Sequence, residues 1–243
     1  LLFSGIKQNK LTLYYLLSRN NKINLIPFIE FTNRLKNIGI YYAPQNYPNE
    51  NQMNYINHDF KETSLGLIYP ISKFGSISFS YNKSVSKYRF RESVWNGFSH
   101  KNNINYTKIK LEIDQIDDLL HPKNGYKINV IYQHSPDNYT TINNNCTNNG
   151  MPCNNYQEYG YKYLYSEIDY YKTYNYNHTI RVFSQYKSSS SSGNNGMPLY
   201  LMSTYGGSNW AVGYDEYMLT SKNLSLIGLE YQYHFKNNIT YRV

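Results

Sequence analysis

Carboxylates, histidines and thiols are the side chains best able to do chemistry, and this chain brings few of them together. Asp114, Asp117 and Asp118 lie close in sequence, and two carboxylates with different pKa values could act as general acid and base. The alternative is a solvated acidic cluster at the end of a strand, which we favour. The six histidines are spread over different segments, so we predict no metal site.

Sequence motifs of enzymes are also missing. No nucleophile elbow, phosphate-binding P-loop, H-E-x-x-H or dinucleotide fingerprint occurs. We therefore predict no catalytic residues and no cofactor in this segment. Any catalytic activity of the protein would reside in a domain upstream of Leu1.

The two cysteines, Cys146 and Cys153, lie in the polar stretch "NNNCTNNGMPC". Their spacing differs from a C-x-x-C redox pair, and no second pair is present to build a zinc site. A local disulfide that closes a small ring is the preferred interpretation, with two free thiols as the alternative. A disulfide would place this loop in an oxidising compartment.

Composition favours strands over helices. The chain has 243 residues, of which 30 are Tyr and 10 are Phe, and aromatic residues suit pleated, half-buried surfaces. Its net charge is +8, but the lysines and arginines are scattered instead of clustered among aromatic residues. We therefore expect solvated loops near an anionic surface and no nucleic-acid partner.

Alternation with period two runs through the whole chain and predicts an all-β fold. In "LSLIGLEYQYHF", Ile227, Leu229 and Tyr231 share one face, whereas Glu230 and Gln232 share the other. About 11–13 such segments of roughly 8–12 residues are separated by turn residues. Their predicted centres lie near residues 14, 27, 39, 66, 78, 88, 108, 130, 165, 182, 202 and 229. We predict long loops at 43–59, 135–157 and 187–198.

Two architectures share this alternation with opposite polarity. In a soluble β-sandwich the apolar face, with Ile227, Leu229 and Tyr231, would face a dry core. In a membrane barrel the apolar face would meet lipid and the polar face a wet lumen. Strands of about ten residues, tyrosines at strand ends and charges spaced along one face favour the barrel.

The stretch "YGGSNWAVGYDEY", followed by "SLIGLEYQYHF", resembles a signature of the BamA-like outer-membrane assembly and translocation barrels, also called the bacterial surface antigen family. In that family a Gly-Gly pair and a V-R-G-Y/F tetrad lie in a loop that folds into the lumen. The matching residues here are Gly206, Gly207, Val212, Gly213 and Tyr214. The resemblance implies a lumen-type loop at 205–222 and an inward-facing acid, Glu230, that meets the tetrad arginine.

A second stretch, "LEIDQIDDLLHPKNGYKINV", resembles the D-x-x-D…P-x-x-G-Y segment of the same family, which joins two strands through a tight turn. The matching residues are Asp114, Asp117, Pro122, Gly125 and Tyr126. The hairpin "LGLIYPISKFGSISFSYN" is similar to the strand pair that precedes it, so the resemblance covers roughly residues 62–235. It implies an antiparallel transmembrane β-barrel of the 16-stranded type, of which residues 1–243 are a single, incomplete domain.

One departure from the family pattern concerns the tetrad, where Val212 replaces the arginine. The charge-assisted bond between this arginine and Glu230 therefore cannot form. Its loss favours a barrel that anchors or exports a fused enzyme, as in patatin-type phospholipase autotransporters. Three hypotheses result: a barrel that inserts or translocates proteins, an anchor barrel, and a soluble β-sandwich adhesin. The family implies the outer membrane of a Gram-negative bacterium or a bacterium-derived organelle. Its partners would be the lipid bilayer and a polypeptide substrate or fused passenger domain.

Overall fold

The computed structural model describes residues 7–15, 24–42, 52–90, 99–118, 122–143, 157–175, 177–192, 203–205, 219–234 and 240–242. All regular structure in these residues is β. The strands are β1 Lys7–Tyr14, β2 Ile26–Tyr42, β3 Gln52–Ser72, β4 Gly75–Phe90, β5 Ser99–Asp114, β6 Gly125–Asn143, β7 Gln157–Tyr174, β8 His178–Ser191, β9 Ser203–Tyr205, β10 Leu219–Ser221, β11 Asn223–His234 and β12 Thr240–Arg242. The described ranges contain no helix long and apolar enough to cross a membrane.

The strands form one antiparallel sheet that follows the chain. Each strand from β1 to β8 pairs with the next, β11 pairs with β8, and the three-residue β12 extends the edge beyond β11. Strands β9 and β10 form a separate two-stranded ladder between β8 and β11 in sequence. Within the described residues the sheet is not closed, because its edge strands β1 and β12 do not pair with each other. The predicted all-β class is confirmed.

The strands are longer than the alternation predicted. The segments centred near residues 27 and 39 belong to one strand, β2, and those near 78 and 88 belong to β4. Strands β2 to β8 contain between 14 and 21 residues. Backbone pairing with long neighbouring strands continues through polar stretches that carry no apolar signal, which explains the difference.

Parts of the predicted loops belong to strands for the same reason. Residues 52–59 of the predicted loop at 43–59 belong to β3, and residues 135–143 of the predicted loop at 135–157 belong to β6. Strand β8 continues to Ser191, so the serine run of the predicted 187–198 loop is partly strand. Tyr205 and Leu219, in the predicted lumen-type loop, pair with each other across β9 and β10.

The two faces of the sheet have inverted polarity relative to a soluble sandwich. One face, here called the inner face, carries buried polar side chains. Those that are almost fully buried are Gln185, Gln232, Asn82, Asn102, Thr179, Ser64, Ser80, Ser84 and Ser135. The described residues form no second sheet over this face apart from the short β9–β10 ladder. Three buried apolar or aromatic residues, Ile104, Tyr106 and Tyr161, form a small hydrophobic cluster.

The opposite, outer face is apolar and exposed. Its apolar belt consists of Leu11, Leu13, Phe31, Leu65, Leu67, Tyr69, Ile71, Ile77, Phe79, Tyr81, Ile109, Tyr132, Ile168, Tyr170, Val182, Tyr186, Ile227, Leu229 and Tyr231. Strand register makes the belt continuous, since Phe79 opposes Ile109 and Val182 opposes Leu229. The belt occupies the half of the strands next to the connections at 73–74, 115–124 and 175–177.

The alternation predicted for β11 is confirmed, with Glu230 and Gln232 on the inner face. The burial expected for a soluble sandwich is wrong for the same strand. Ile227, Leu229 and Tyr231 are 78%, 73% and 40% exposed. Among the described residues no protein core covers this face, which is therefore open to water or to an apolar phase.

Candidate functional site

Glu230, the predicted inward-facing acid, has a partner in the wall of the sheet. It lies directly opposite Arg181 of β8 in the strand register. The Arg181 Nη1 atom donates to Glu230 Oε2 at 3.0 Å, and Gln232 Nε2 donates to Glu230 Oε1 at 2.5 Å. Both carboxylate oxygens are therefore engaged by residues of β8 and β11.

Arg181 also binds a second carboxylate, on the other neighbouring strand. Its Nε and Nη2 atoms donate to Asp169 Oδ1 of β7 at 2.8 and 2.5 Å. The Asp169 side chain is 6% exposed and that of Glu230 is 17% exposed. One guanidinium therefore joins β7, β8 and β11 through a set of residues that we call the inner ion network: Asp169, Arg181 and Glu230.

Aromatic rings and a glycine complete the surroundings of this network. The Arg181 guanidinium lies 4.6 Å from the ring centre of Phe183 and 5.7 Å from that of Tyr171, distances at which a cation is attracted to the ring face. Phe183 in turn covers Gly228 on β11, where an added Cβ would lie 2.1 Å from the Phe183 Cζ atom. The glycine thus makes room for the ring beside the ion network.

The chemistry available to the inner ion network is electrostatic. Each acid accepts hydrogen bonds from the Arg181 guanidinium, which holds a proton at any physiological pH. The described residues contain no group of three or more His, Cys, Asp or Glu side chains that could hold a metal ion. The network can fix the spacing of three strands and give the inner wall local negative charge.

The second predicted segment forms a closed turn between β5 and β6, with Asp117 at its centre. The Asp117 Oδ1 atom accepts the backbone N–H groups of Lys123 at 2.8 Å and Asn124 at 3.0 Å. Partial burial raises the pKa of this carboxyl. The hydrogen bonds from the amides of Asn124 and Lys123 together lower the pKa by more than burial raises it, so the pKa lies below its ordinary value. The connection spans residues 115–124, so it is longer than the tight turn that the resemblance implies.

The other residues of that segment also have structural roles. Gly125 has φ of +119°, and an added Cβ would lie 2.1 Å from the carbonyl oxygen of Gln115, so no other residue fits without strain. Asp114 Oδ1 accepts the Ile116 N–H at 3.4 Å, and the Tyr126 carbonyl accepts the Gln115 N–H at 2.9 Å. Pro122 is buried at the far end of the turn.

A chain of hydrogen bonds connects this turn with β11. Thr173 Oγ1 donates to the Lys123 carbonyl at 2.7 Å and lies 2.7 Å from Thr179 Oγ1. Thr179 Oγ1 is in turn 2.9 Å from His234 Nε2. The turn therefore braces the same three strands that the inner ion network joins.

The lumen-loop residues lie outside the described residues. They are Gly206, Gly207, Val212, Gly213 and Tyr214. Cys146 and Cys153 also lie outside them, so the disulfide stays a prediction. The structure brings Glu230 together with Arg181 and Asp169, which sequence reasoning missed. Alternation alone puts both on the polar face, but only the strand register shows that they meet.

No model of a known protein family matches the chain, and no curated protein sequence matches it.

Proposed function

We propose that the protein is an outer-membrane β-barrel of the BamA-like superfamily that inserts or translocates other proteins, with its apolar belt against lipid and its inner face toward a wet lumen. The observation that carries the membrane part is the inverted polarity of the sheet. Polar side chains are buried on the inner face, while the largest apolar side chains are exposed on the outer face. Transmembrane barrels have this distribution.

The size of the apolar belt supports lipid as its partner. Nine strands spaced about 4.8 Å apart make the belt about 40 Å wide. From Leu65 to Ile71 it extends about 20 Å along β3, at about 3.3 Å per residue. A belt that continues across nine strands is unusual for a soluble monomer, whose largest apolar patch covers about 300–600 Å². A solvated sandwich would expose this area to water at a large cost in free energy.

Insertion or translocation of polypeptides rests on the resemblance in the lumen-type loop and in the Asp117 turn. The geometry of the turn supports that resemblance, because Asp117 and Gly125 each occupy a place that needs that residue type. The location would be the outer membrane of a Gram-negative bacterium or of a bacterium-derived organelle.

A second candidate is a barrel that anchors or exports a fused enzyme of the patatin-like phospholipase type. Two observations favour it: Val212 replaces the tetrad arginine, and Glu230 already forms an ion pair with Arg181. A loop held at Glu230 by an ion pair is therefore not needed in this chain. The soluble adhesin finds no such support, because the face that it would bury is exposed.

The test uses the full-length gene product expressed in cells with an outer membrane. Fractionation with that membrane and heat-modifiable migration in detergent gels are the expected results. Depletion of the protein should then cause unassembled precursors of other membrane barrels to accumulate. If other barrels assemble normally while an attached domain loses its membrane location, the anchor function replaces the insertion function. Recovery as a detergent-independent soluble protein would overturn both.

A further inference from the structure

Two rows of outer-face residues run across β1 to β4 at the border of the apolar belt, on the side away from the 73–74 turn. Strand register defines both rows. The first row contains Leu11, Phe31, Thr63 and Lys83. The second row contains Asn9, Asn33, Lys61 and Val85. The surface therefore changes within two rows from apolar to polar and basic.

These rows line a groove of about 560 Å³, which we call the border groove. Leu11 and Phe31 form its apolar part and are 56% and 42% exposed. The exposed side chains of Lys61 and Lys83 lie at its polar part, beside the amide of Asn33. A groove with an apolar half and a cationic half fits an amphiphile with a negative headgroup.

The charge of the border groove on the outer face is positive. Lys83 lies opposite Thr63, so Lys61 is its diagonal neighbour on the adjacent strand, a position with Cβ atoms about 7–8 Å apart. Glu62 also lines the groove, but its carboxylate lies on the inner face, where it binds Tyr106 and is 3.9 Å from Lys108 Nζ. Asp59, one row further from the belt, is opposite Lys87.

We propose that the border groove binds one anionic phospholipid of the surrounding membrane. Lys61 and Lys83 hold the phosphate between their ammonium groups, because their long stems let both reach a shared anion. The first segment of an acyl chain lies along Phe31 and Leu11. The proposal rests on the proposed function, since only an apolar belt in a bilayer places the groove at the level of lipid headgroups.

The test measures lipid selectivity at the groove in reconstituted vesicles. The full chain, with Cys146 and Cys153 replaced by serine, carries a bimane label at Tyr81→Cys, in the belt next to the groove, or at Ile227→Cys, far from it. Brominated phosphatidylglycerol or brominated phosphatidylcholine is mixed into unlabelled phosphatidylcholine. Quenching against mole fraction gives the relative affinity of each lipid at each label.

We expect phosphatidylglycerol to be preferred at the Tyr81 label and not at the Ile227 label. Each lysine near an anionic headgroup contributes up to about five-fold, so the preference should lie between about 5-fold and 30-fold. The K61Q/K83Q variant should lose it, whereas K61R/K83R should retain it. The matched control K162Q removes an exposed outer-face lysine of β7 and should leave the preference unchanged.

The outcomes separate this inference from the function on which it rests. If both lipids quench the Tyr81 label equally, and quenching is strong at the Tyr81 and Ile227 labels, the lipid site is overturned and the membrane barrel is left intact. Absence of quenching at both labels by either lipid would overturn the membrane barrel itself. A preference that survives in K61Q/K83Q would overturn the assignment to these two lysines.

Discussion

Removal of the Arg181 guanidinium should destabilise the sheet strongly. The Arg181→Met change keeps much of the side-chain volume but leaves Asp169 and Glu230, with side chains 6% and 17% exposed, without their cation. Two carboxylates about 5–6 Å apart, the separation that one guanidinium allows, repel each other by about 3 kcal/mol at an effective dielectric constant of 20. Loss of one member of a buried ion pair costs about 3–5 kcal/mol, and we expect a loss of that size.

The control makes the same change in a background without the two charges. In Asp169→Asn/Glu230→Gln, Arg181→Met should cost much less than in the wild type, because no uncompensated carboxylate stays behind. Equilibrium urea unfolding in lipid vesicles, followed by the heat-modifiable band, measures all four proteins. A cost below about 1 kcal/mol in the wild-type background, or an equal cost in both backgrounds, would refute the role of the network.

Three further changes test other parts of the structure. Leu229→Arg on the apolar belt should reduce the free energy of unfolding in vesicles by up to about 2–4 kcal/mol, whereas an exposed site in water tolerates such a change within about 0.5 kcal/mol. Urea titration in vesicles measures the difference, and a neutral result would argue against lipid at this position. Gly125→Ala should lower the free energy of unfolding by more than about 1 kcal/mol, because φ is +119° and the added Cβ would meet the Gln115 carbonyl. A neutral result in the same titration would contradict the role of Gly125 in the turn. Because the folded-state pKa of Asp117 is depressed, the ionised Asp117 should stabilise the fold at pH values above its unfolded-state pKa of about 3.9, and this stabilisation should disappear as the pH falls through the folded-state pKa. Asp117→Asn should flatten the pH dependence of the free energy of unfolding between neutral and acidic pH. An unchanged slope would refute the contribution of Asp117.

The sequence predicted the faces of the strands better than their ends. Alternation placed Glu230 and Gln232 on the polar face, and the structure agrees, because side chains of a strand alternate whatever lies around it. Strand ends depend on backbone pairing instead. Residues 52–59 carry no clear alternation, yet they belong to β3 because β2 pairs with all of them and β4 pairs with residues 56–59.

The candidate site could be predicted only in part for a similar reason. Gly125 and Asp117 were identified through the resemblance to the D-x-x-D…P-x-x-G-Y segment, and their roles in the turn are local. The partner of Glu230 depends instead on the register between β8 and β11, which places Arg181 opposite it. No local pattern in "HTIRVFSQ" distinguishes this arginine from any other polar-face residue.

The central claim is that the apolar belt faces lipid. Ile227 and Leu226 are adjacent aliphatic residues of β11 that face opposite sides of the sheet, so they form a matched pair for labelling. The measurement is bimane fluorescence at Ile227→Cys and at Leu226→Cys, without the native cysteines, in vesicles that contain brominated lipid. We expect strong quenching at position 227 and little at position 226. Equal quenching at both positions, or stronger quenching at 226, would contradict it.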